Sequence, residues 1–214
     1  MVKIAPSTDP AKSLEDLIDY IKQIEHLAHF LHVDIMNSNF VQKTNYDHTF
    51  VKYINDNTAL MLDVHLMVES PEVVKYIEAG ANIVTVHYEA FKSNRELIKT
   101  LKLIRKNKTL VGLSVKPNTN LSDIFPYLEL CDIILVMSVE PGSSGQKFLE
   151  QTYDRVKTLK AEIGNRNIQI EVDGGITPEI ASNLSKCGAD ILVSGSYVYS
   201  SDNKAEAIEA LIKS

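Results

Sequence analysis

Eight short apolar runs alternate with amphipathic segments along the whole chain, and this alternation constrains the fold more than any other feature of the sequence. Each run has the length and the Val, Ile and Leu content of a buried strand. The runs are residues 2–5, 30–36, 61–67, 83–87, 110–115, 133–139, 168–172 and 191–194. The sequence therefore predicts eight strands.

The segments between these runs have helical spacing. In residues 14–24, for example, apolar side chains recur every three or four positions, which gives one stripe that can cover a sheet. Ser70 and Thr177 each precede a Pro-Glu pair, a pattern typical of a helix start in which the hydroxyl caps the first turn and Pro occupies its first position. Gly80 and Gly188 are placed to end helices.

Strand and helix repeated eight times call for parallel strands joined by right-handed crossovers. Such strands form either a closed barrel or an open, doubly wound sheet. Eight units favour closure, and no glycine-rich dinucleotide turn follows an early strand. No Pro, Gly or Ser-rich stretch is long enough to link two domains. We therefore predict an α/β fold, a single (β/α)8 TIM barrel that spans residues 1–214.

Composition excludes several classes of function. A net charge of −6 and a pI near 5.5 argue against nucleic-acid binding through a broad basic surface. No apolar run approaches the roughly 20 residues of a membrane helix, and no leader pattern begins the sequence, so we expect a cytoplasmic protein. Cys131 and Cys187 lack Cys-x-x-Cys spacing and are interpreted as reduced packing residues.

Chemistry in a barrel of this kind occurs at the carboxyl ends of the strands. His32 and Asp34 lie near the end of strand two, His65 near the end of strand three and Asp173 after strand seven. Taken singly, each is more commonly a core histidine or a turn aspartate, but together they predict a site for one divalent metal ion, Zn, Fe(II), Mn or Co. His87 ends strand four, and nothing in the pattern requires it as a fifth ligand.

Glycine-containing loops follow strands six, seven and eight. Glycine permits close backbone approach, and exposed N–H groups bind an anion without Lys or Arg, so these loops are predicted to hold a phosphate. The residues are Gly142, Ser143, Ser144, Gly145, Gly174, Gly175, Gly195 and Ser196. Three methionines at strand ends, Met36, Met67 and Met137, are candidates to line the pocket, although core packing alone would also explain them.

Seven stretches of the chain together resemble one known family, the ribulose-phosphate 3-epimerases. They are Ile4-Ala5-Pro6-Ser7, His32-Val33-Asp34-Ile35-Met36, Asp63-Val64-His65-Leu66-Met67, Val136-Met137-Ser138-Val139, Pro141-Gly142 with Gly145-Gln146-Lys147-Phe148, Glu171-Val172-Asp173-Gly174-Gly175, and Gly188-Ala189-Asp190. The similarity extends over nearly the whole chain.

The resemblance implies a ribulose-phosphate-binding barrel that inverts C3 of D-ribulose 5-phosphate to give D-xylulose 5-phosphate in the pentose phosphate pathway. It implies a metal ion held by His32, Asp34, His65 and Asp173. The two aspartates would act as acid and base through an ene-diolate. Ser7 and His65 would contact the substrate, together with the phosphate loops. It further implies a homo-oligomer.

The chain departs from the family pattern in loops that face the substrate. The departures are Thr8-Asp9-Pro10, Asn37-Ser38, Gln42-Lys43, Tyr88 and Ser143-Ser144. None removes a proposed ligand or base. They leave open a related ketose phosphate such as D-allulose 6-phosphate, or a sugar-phosphate-binding paralogue without activity. A metal-free decarboxylase of related barrel type would require Lys at the position of Met36.

Overall fold

The computed structural model describes residues 2–214, in which eight parallel strands form a ring. The strands are β1 (Lys3–Pro6), β2 (Leu31–Met36), β3 (Leu62–Met67), β4 (Ile83–His87), β5 (Leu110–Val115), β6 (Ile133–Met137), β7 (Gln169–Asp173) and β8 (Ile191–Ser194). Each strand from β2 to β7 pairs with the next strand in the chain, and β8 pairs with β1. Beyond β1, Ser7 bridges His32, and the Thr8 amide donates to the His32 carbonyl over 2.9 Å, which joins β1 to β2. The predicted TIM barrel is confirmed.

Helices surround this ring. They are α1 (Leu14–Ile24), α2 (His48–Asn55), α3 (Val73–Glu78), α4 (Asn94–Lys106), α5 (Gln151–Ile163), α6 (Pro178–Cys187), α7 (Ser196–Ser200) and α8 (Lys204–Lys213). The connection between β5 and β6 differs from the predicted pattern. It consists of two 3₁₀ segments, Leu121–Asp123 and Phe125–Leu130, because Pro126 lacks the N–H that a longer α-helix would require.

Three of the four helix-end predictions are correct. The Thr177 hydroxyl accepts from the Ile180 amide at the start of α6, and Gly188 ends that helix with a φ of 105°. Gly80 follows α3 with a φ of 108°. The prediction for Ser70 is wrong: its φ of 50° is not the extended conformation of a capping residue, and α3 begins three residues later.

The apolar core lies between the strands and the helices. The outward side chains of the strands meet the apolar stripes of the helices there, for example Leu17 and Ile21 of α1. The inside of the ring is more polar, and fully buried His32, His65 and Glu171 lie within it. Buried polar groups of this kind are tolerated when they are paired, so the interior of the barrel marks the region where function is expected.

Both cysteines are free, with Cys131 buried and Cys187 partly buried, as predicted. Among residues 2–214, no helix combines the length and the apolar character that crossing a membrane would require.

Candidate active site

The four predicted metal ligands meet inside one mouth of the barrel. One nitrogen or oxygen atom from each of His32, Asp34, His65 and Asp173 lies within 4.8 Å of the corresponding atom of every other member. Strand register accounts for this meeting, because Asp34 of β2 lies beside His65 of β3, and side chains two residues apart on a strand share a face. We call these four residues the His-Asp cluster.

The distances within the His-Asp cluster fit a single small cation. Two ligand atoms that bind one ion tetrahedrally, each at about 2.1 Å, lie about 3.4 Å apart. Asp34 Oδ1 is 3.4 Å from His32 Nε2 and 3.3 Å from His65 Nδ1, while His65 Nδ1 is 4.0 Å from Asp173 Oδ2. The geometry and the donor types therefore suit a divalent ion such as zinc, iron, manganese or cobalt.

His32 supplies an independent sign of a cation site. Its Nε2 atom is buried and has no hydrogen-bond partner within the described part of the chain. Its Nδ1 atom lies 2.6 Å from Asp63 Oδ2, which is how metal-binding imidazoles are commonly oriented. Burial opposes the charged imidazole, but the carboxylates of Asp34 and Asp63 outweigh it and raise the pKa of His32 well above 6.5. A proton and a metal ion would compete for this Nε2 atom.

The two aspartates have different protonation preferences. Burial favours the neutral form of both. At Asp34 the neighbouring imidazoles of His32 and His65 outweigh burial and lower the pKa. At Asp173 burial, together with the negative charge of Asp34, raises the pKa to about 6. The pair is thus arranged to hold one proton between two carboxyl groups, although a bound metal ion would lower both pKa values.

Two polar side chains hold Asp34 in place. The Ser7 hydroxyl donates to Asp34 Oδ2 over 2.7 Å, so Ser7 contacts the carboxylate as well as the cleft above it. Asn45 Nδ2 donates to the Asp34 carbonyl over 2.8 Å, and Asn45 Oδ1 accepts from the Met36 amide. Asn45 was missed by sequence reasoning, because no strand pattern places a loop residue nine positions beyond Met36.

A cleft opens directly above Asp34 and Asp173, which both contribute to its lining. The three predicted methionines line it, and each is buried. The predicted phosphate-loop residues also line it: Gly142, Ser143, Ser144, Gly145, Gly174, Gly175, Gly195 and Ser196. All of these predicted contacts therefore share one cleft with the two aspartates, whereas two of the four predicted metal ligands, His32 and His65, lie deeper in the barrel.

The loops after β6 and β7 approach each other closely at Gly175. Its φ is 66°, and a Cβ atom there would lie 2.8 Å from the amide nitrogen of Phe148. At the neighbouring Gly174, with a φ of 122°, a Cβ atom would lie 2.5 Å from Val139. Only glycine fits both positions without displacement, so the backbone itself forms this wall of the cleft.

Residues that differ from the family pattern meet at one point above the cleft. Asp9 Oδ1 lies 2.7 Å from Lys43 Nζ, and Asp9 Oδ2 accepts from the Ser144 amide over 3.0 Å. The loops after β1, β2 and β6 are joined in this way. The Ser144 amide, predicted to bind phosphate, donates to Asp9 in this structure.

Two buried acids inside the barrel were also missed by sequence reasoning. Asp63 pairs with His32, and Glu171 is completely buried with no donor among residues 2–214 bonded to either carboxyl oxygen. Burial, followed by the charge of Asp63, raises the pKa of Glu171 well above 4.5. The alternation of side chains could have identified both, because Asp63 shares a face with His65 and Glu171 shares a face with Asp173.

Solved structures similar to this one are barrels with other chemistries. A 3-keto-L-gulonate-6-phosphate decarboxylase from Vibrio cholerae matches with a TM-score of 0.74, 14% identity and coverage of 99% of this chain and 96% of that one. A mutant tryptophan synthase α-subunit from Pyrococcus furiosus matches with a TM-score of 0.72 and 13% identity, over the full length of both chains. At such low identity these likenesses support the fold alone.

Similarity in sequence is more specific. Residues 3–199 match the model of the ribulose-phosphate 3 epimerase family. The ribulose-phosphate 3-epimerase of Chlamydia muridarum is 37% identical over 209 residues, which cover 94% of this chain and 90% of that protein. The enzyme of the same name from Bacillus subtilis is 35% identical, with coverage of 99% and 98%. The resemblance seen in the motifs is confirmed, and the chain belongs to the ribulose-phosphate 3-epimerase family.

Proposed function

We propose that the protein is a metal-dependent 3-epimerase that interconverts D-ribulose 5-phosphate and D-xylulose 5-phosphate. The observation that carries the proposal is the position of Asp34 and Asp173 under one cleft, within a cluster suited to a divalent ion. The names of the relatives support the substrate. This substrate and product would place the reaction in the pentose phosphate pathway. A cytoplasmic location and a homo-oligomeric state stay predictions.

Inversion at C3 requires one group to remove a proton from one side of the carbon and another group to return a proton from the opposite side. Asp34 and Asp173 lie on β2 and β7, which are three positions apart around the ring. In our proposal one aspartate is ionised and takes the C3 proton, and the other, initially protonated, delivers its own proton to the ene-diolate. The reverse reaction exchanges the two roles.

The surrounding residues orient these two carboxyl groups. The Ser7 hydroxyl fixes one oxygen of Asp34, and Asn45 fixes the backbone of the same residue. A divalent ion held by the His-Asp cluster would supply positive charge beside the oxygen atoms on which negative charge develops. Since Met36, Met67 and Met137 are buried around the cleft, they would limit the access of water to the carbanion.

The substrate's phosphate would be held by backbone amides of the glycine loops after β6, β7 and β8. This proposal fits the chemistry of the cleft, whose loop residues are glycines and serines without a lysine or arginine among the eight predicted positions. Close contact between the loops at Gly175 would fix the distance between the phosphate and the two aspartates.

One specific observation favours a second candidate, a 3-epimerase of a longer ketose phosphate such as D-allulose 6-phosphate. Asp9, Lys43 and Ser144 depart from the family pattern and meet above the cleft. Different side chains at these three positions alter the space that the cleft leaves for the end of the sugar. The ratio of kcat/KM for the two substrates decides between the candidates.

The direct test is proton NMR of D-ribulose 5-phosphate incubated with the protein in heavy water. We expect D-xylulose 5-phosphate to appear with deuterium at C3 and expect a chelator to stop the reaction. Asp34→Asn and Asp173→Asn should each remove conversion without unfolding the protein, whereas the exposed Asp123→Asn control should retain it. Conversion at the normal rate by either site variant would contradict its role, and tight binding without exchange would indicate a non-catalytic paralogue.

A further inference from the structure

A chain of hydrogen bonds leads from the His-Asp cluster to a carboxylate on the next strand connection. His65 Nε2 lies 2.8 Å from His87 Nε2, and His87 Nδ1 lies 3.2 Å from Glu89 Oε2. Both imidazoles are completely buried, and their ring centres are 4.9 Å apart. None of these bonds involves the cleft, so the substrate does not explain them.

Glu89 is fixed as a hydrogen-bond acceptor at the far end of this chain. Its Oε1 atom accepts from the Lys116 amide over 2.8 Å and from the Thr119 hydroxyl. Burial alone would raise the pKa of Glu89, but its hydrogen bonds with His87, Thr119 and Lys116 outweigh burial and lower the pKa to about 2. Glu89 is therefore an ionised carboxylate, which carries no hydrogen of its own to donate.

The carboxylate of Glu89 determines which ring nitrogens of His87 and His65 carry a hydrogen. His87 Nδ1 must carry the hydrogen of the bond to Glu89. A hydrogen bond between two Nε2 atoms needs one donor and one acceptor, and a neutral imidazole carries a single hydrogen, so the Nε2 atom of the completely buried His87 is the acceptor. His65 Nε2 must then donate to His87. That leaves His65 Nδ1, which lies 3.3 Å from Asp34 Oδ1 and 4.0 Å from Asp173 Oδ2, as the nitrogen that a cation can bind in place of a proton.

We propose that His87 and Glu89 are positioning residues that hold the hydrogen of His65 on Nε2 and so direct its Nδ1 lone pair towards the metal ion. The proposal rests on the metal site of the proposed function. It also assigns a role to His87, which the sequence pattern alone left open. Groups that orient the imidazoles of metal sites in this manner typically change metal affinity 10- to 100-fold when they are mutated.

The substitution Glu89→Gln tests the proposal because it keeps the shape of the side chain and reverses the direction of its hydrogen bond with His87. The glutamine carbonyl can accept from Lys116 and Thr119, as Oε1 does now, while its amide group donates to His87 Nδ1. His87 Nε2 would then carry the hydrogen and donate to His65 Nε2. His65 Nε2 would then be an acceptor, and the hydrogen of its ring would lie on Nδ1, where it blocks the metal ion.

Two properties of Glu89→Gln test this expectation, the position of the ring hydrogens and the affinity for a metal ion. Nitrogen-15 NMR of the chelator-treated protein should show a hydrogen on His65 Nε2 in the unmodified protein and no hydrogen on that atom in Glu89→Gln. Titration with cobalt(II), followed by its visible absorption, should show a 10- to 100-fold weaker affinity in Glu89→Gln. An unchanged hydrogen position together with unchanged cobalt affinity would overturn the proposal.

Thr119→Val is the matched control. It removes one hydrogen bond to Glu89 but leaves the carboxylate. If Glu89 had a purely structural role, both variants should lose cobalt affinity to a similar extent. We expect Thr119→Val to keep the His65 hydrogen on Nε2 and to bind cobalt with nearly normal affinity. Equal weakening in the two variants would contradict the proposal.

The unmodified protein provides a test that does not depend on any variant folding. In the chelator-treated protein, a hydrogen on His87 Nε2 would overturn the proposal, and a hydrogen on His87 Nδ1 would support it. This NMR result also separates the two proposals. If cobalt fails to bind the unmodified protein, the metal site is refuted, while the hydrogen positions still decide whether the Glu89 and His87 chain orients His65.

Discussion

Two left-handed glycines beside the cleft permit a sharp test of how the phosphate loops are shaped. Gly175 and Gly145 have φ values of 66° and 77°. A Cβ atom at Gly175 would lie 2.8 Å from the Phe148 amide nitrogen and 3.0 Å from the Gln146 carbonyl oxygen, both backbone atoms. A Cβ atom at Gly145 would have no heavy atom of residues 2–214 within 4 Å, apart from its chain neighbours. The two positions therefore have similar positive φ values and differ in crowding.

This difference sets the expected loss of stability. Alanine in the left-handed region costs about 1–2 kcal/mol relative to glycine at either position. Only Gly175→Ala adds steric crowding, which typically costs a further ~1–3 kcal/mol. We expect the free energy of unfolding to fall by about 1–2 kcal/mol in Gly145→Ala and by about 2–5 kcal/mol in Gly175→Ala.

Urea unfolding measures the two losses, and steady-state kinetics measures their consequence. Because the backbone at Gln146 and Phe148 must shift in Gly175→Ala, the KM for the ketose phosphate should rise more in this variant than in Gly145→Ala. Equal losses of stability and equal KM values in the two variants would refute the reasoning that close packing of the two loop backbones shapes the site.

Three further predictions concern other parts of the molecule. Burial raises the pKa of Cys131 to about 12, so a thiol reagent should modify Cys187 in the native protein and Cys131 only after denaturation; rapid native labelling of Cys131 would contradict its burial. The folded pKa of Glu171 lies above its ordinary value of 4.5, so the folded state binds more protons and the free energy of unfolding falls as the pH rises above that value. Glu171→Gln removes this effect, and its stability relative to the unmodified protein, measured by urea unfolding, should increase with pH; a constant difference would refute the assignment. Asp9→Ala frees the Ser144 amide, whose hydrogen exchange measured by NMR should accelerate; unchanged protection would show that Asp9 does not hold this loop.

Much of the fold was predictable because two patterns recur throughout the sequence. One is the short apolar run of a buried strand, and the other is the spacing of apolar residues every three or four positions in a helix. Five of the eight predicted strands end at the observed residue, β1 ends one residue later than predicted, and β6 ends at Met137, two residues before the predicted end. β7 begins one residue later than predicted and includes Asp173. The same alternation placed His32 on one face with Asp34, and the register of the neighbouring parallel strands sets Asp34 beside His65.

Other features depend on contacts that no local pattern encodes. Asp9, Lys43 and Ser144 are far apart in the sequence, and only the folded loops bring them together. Ser70 has the residue type of a helix cap, but its left-handed backbone prevents that role. The contact between His65 and His87 likewise requires the positions of two rings inside the barrel, which strand spacing does not specify.

The most direct test of the central claim is the isotope content of the first product formed in heavy water. If Asp34 and Asp173 act from opposite sides of C3, the proton removed by one is not the proton delivered by the other. Early D-xylulose 5-phosphate should then contain deuterium at C3, while the remaining D-ribulose 5-phosphate keeps hydrogen. Early product that retains the original hydrogen at C3 would show that a single group carries the proton across, and it would contradict the two-aspartate account.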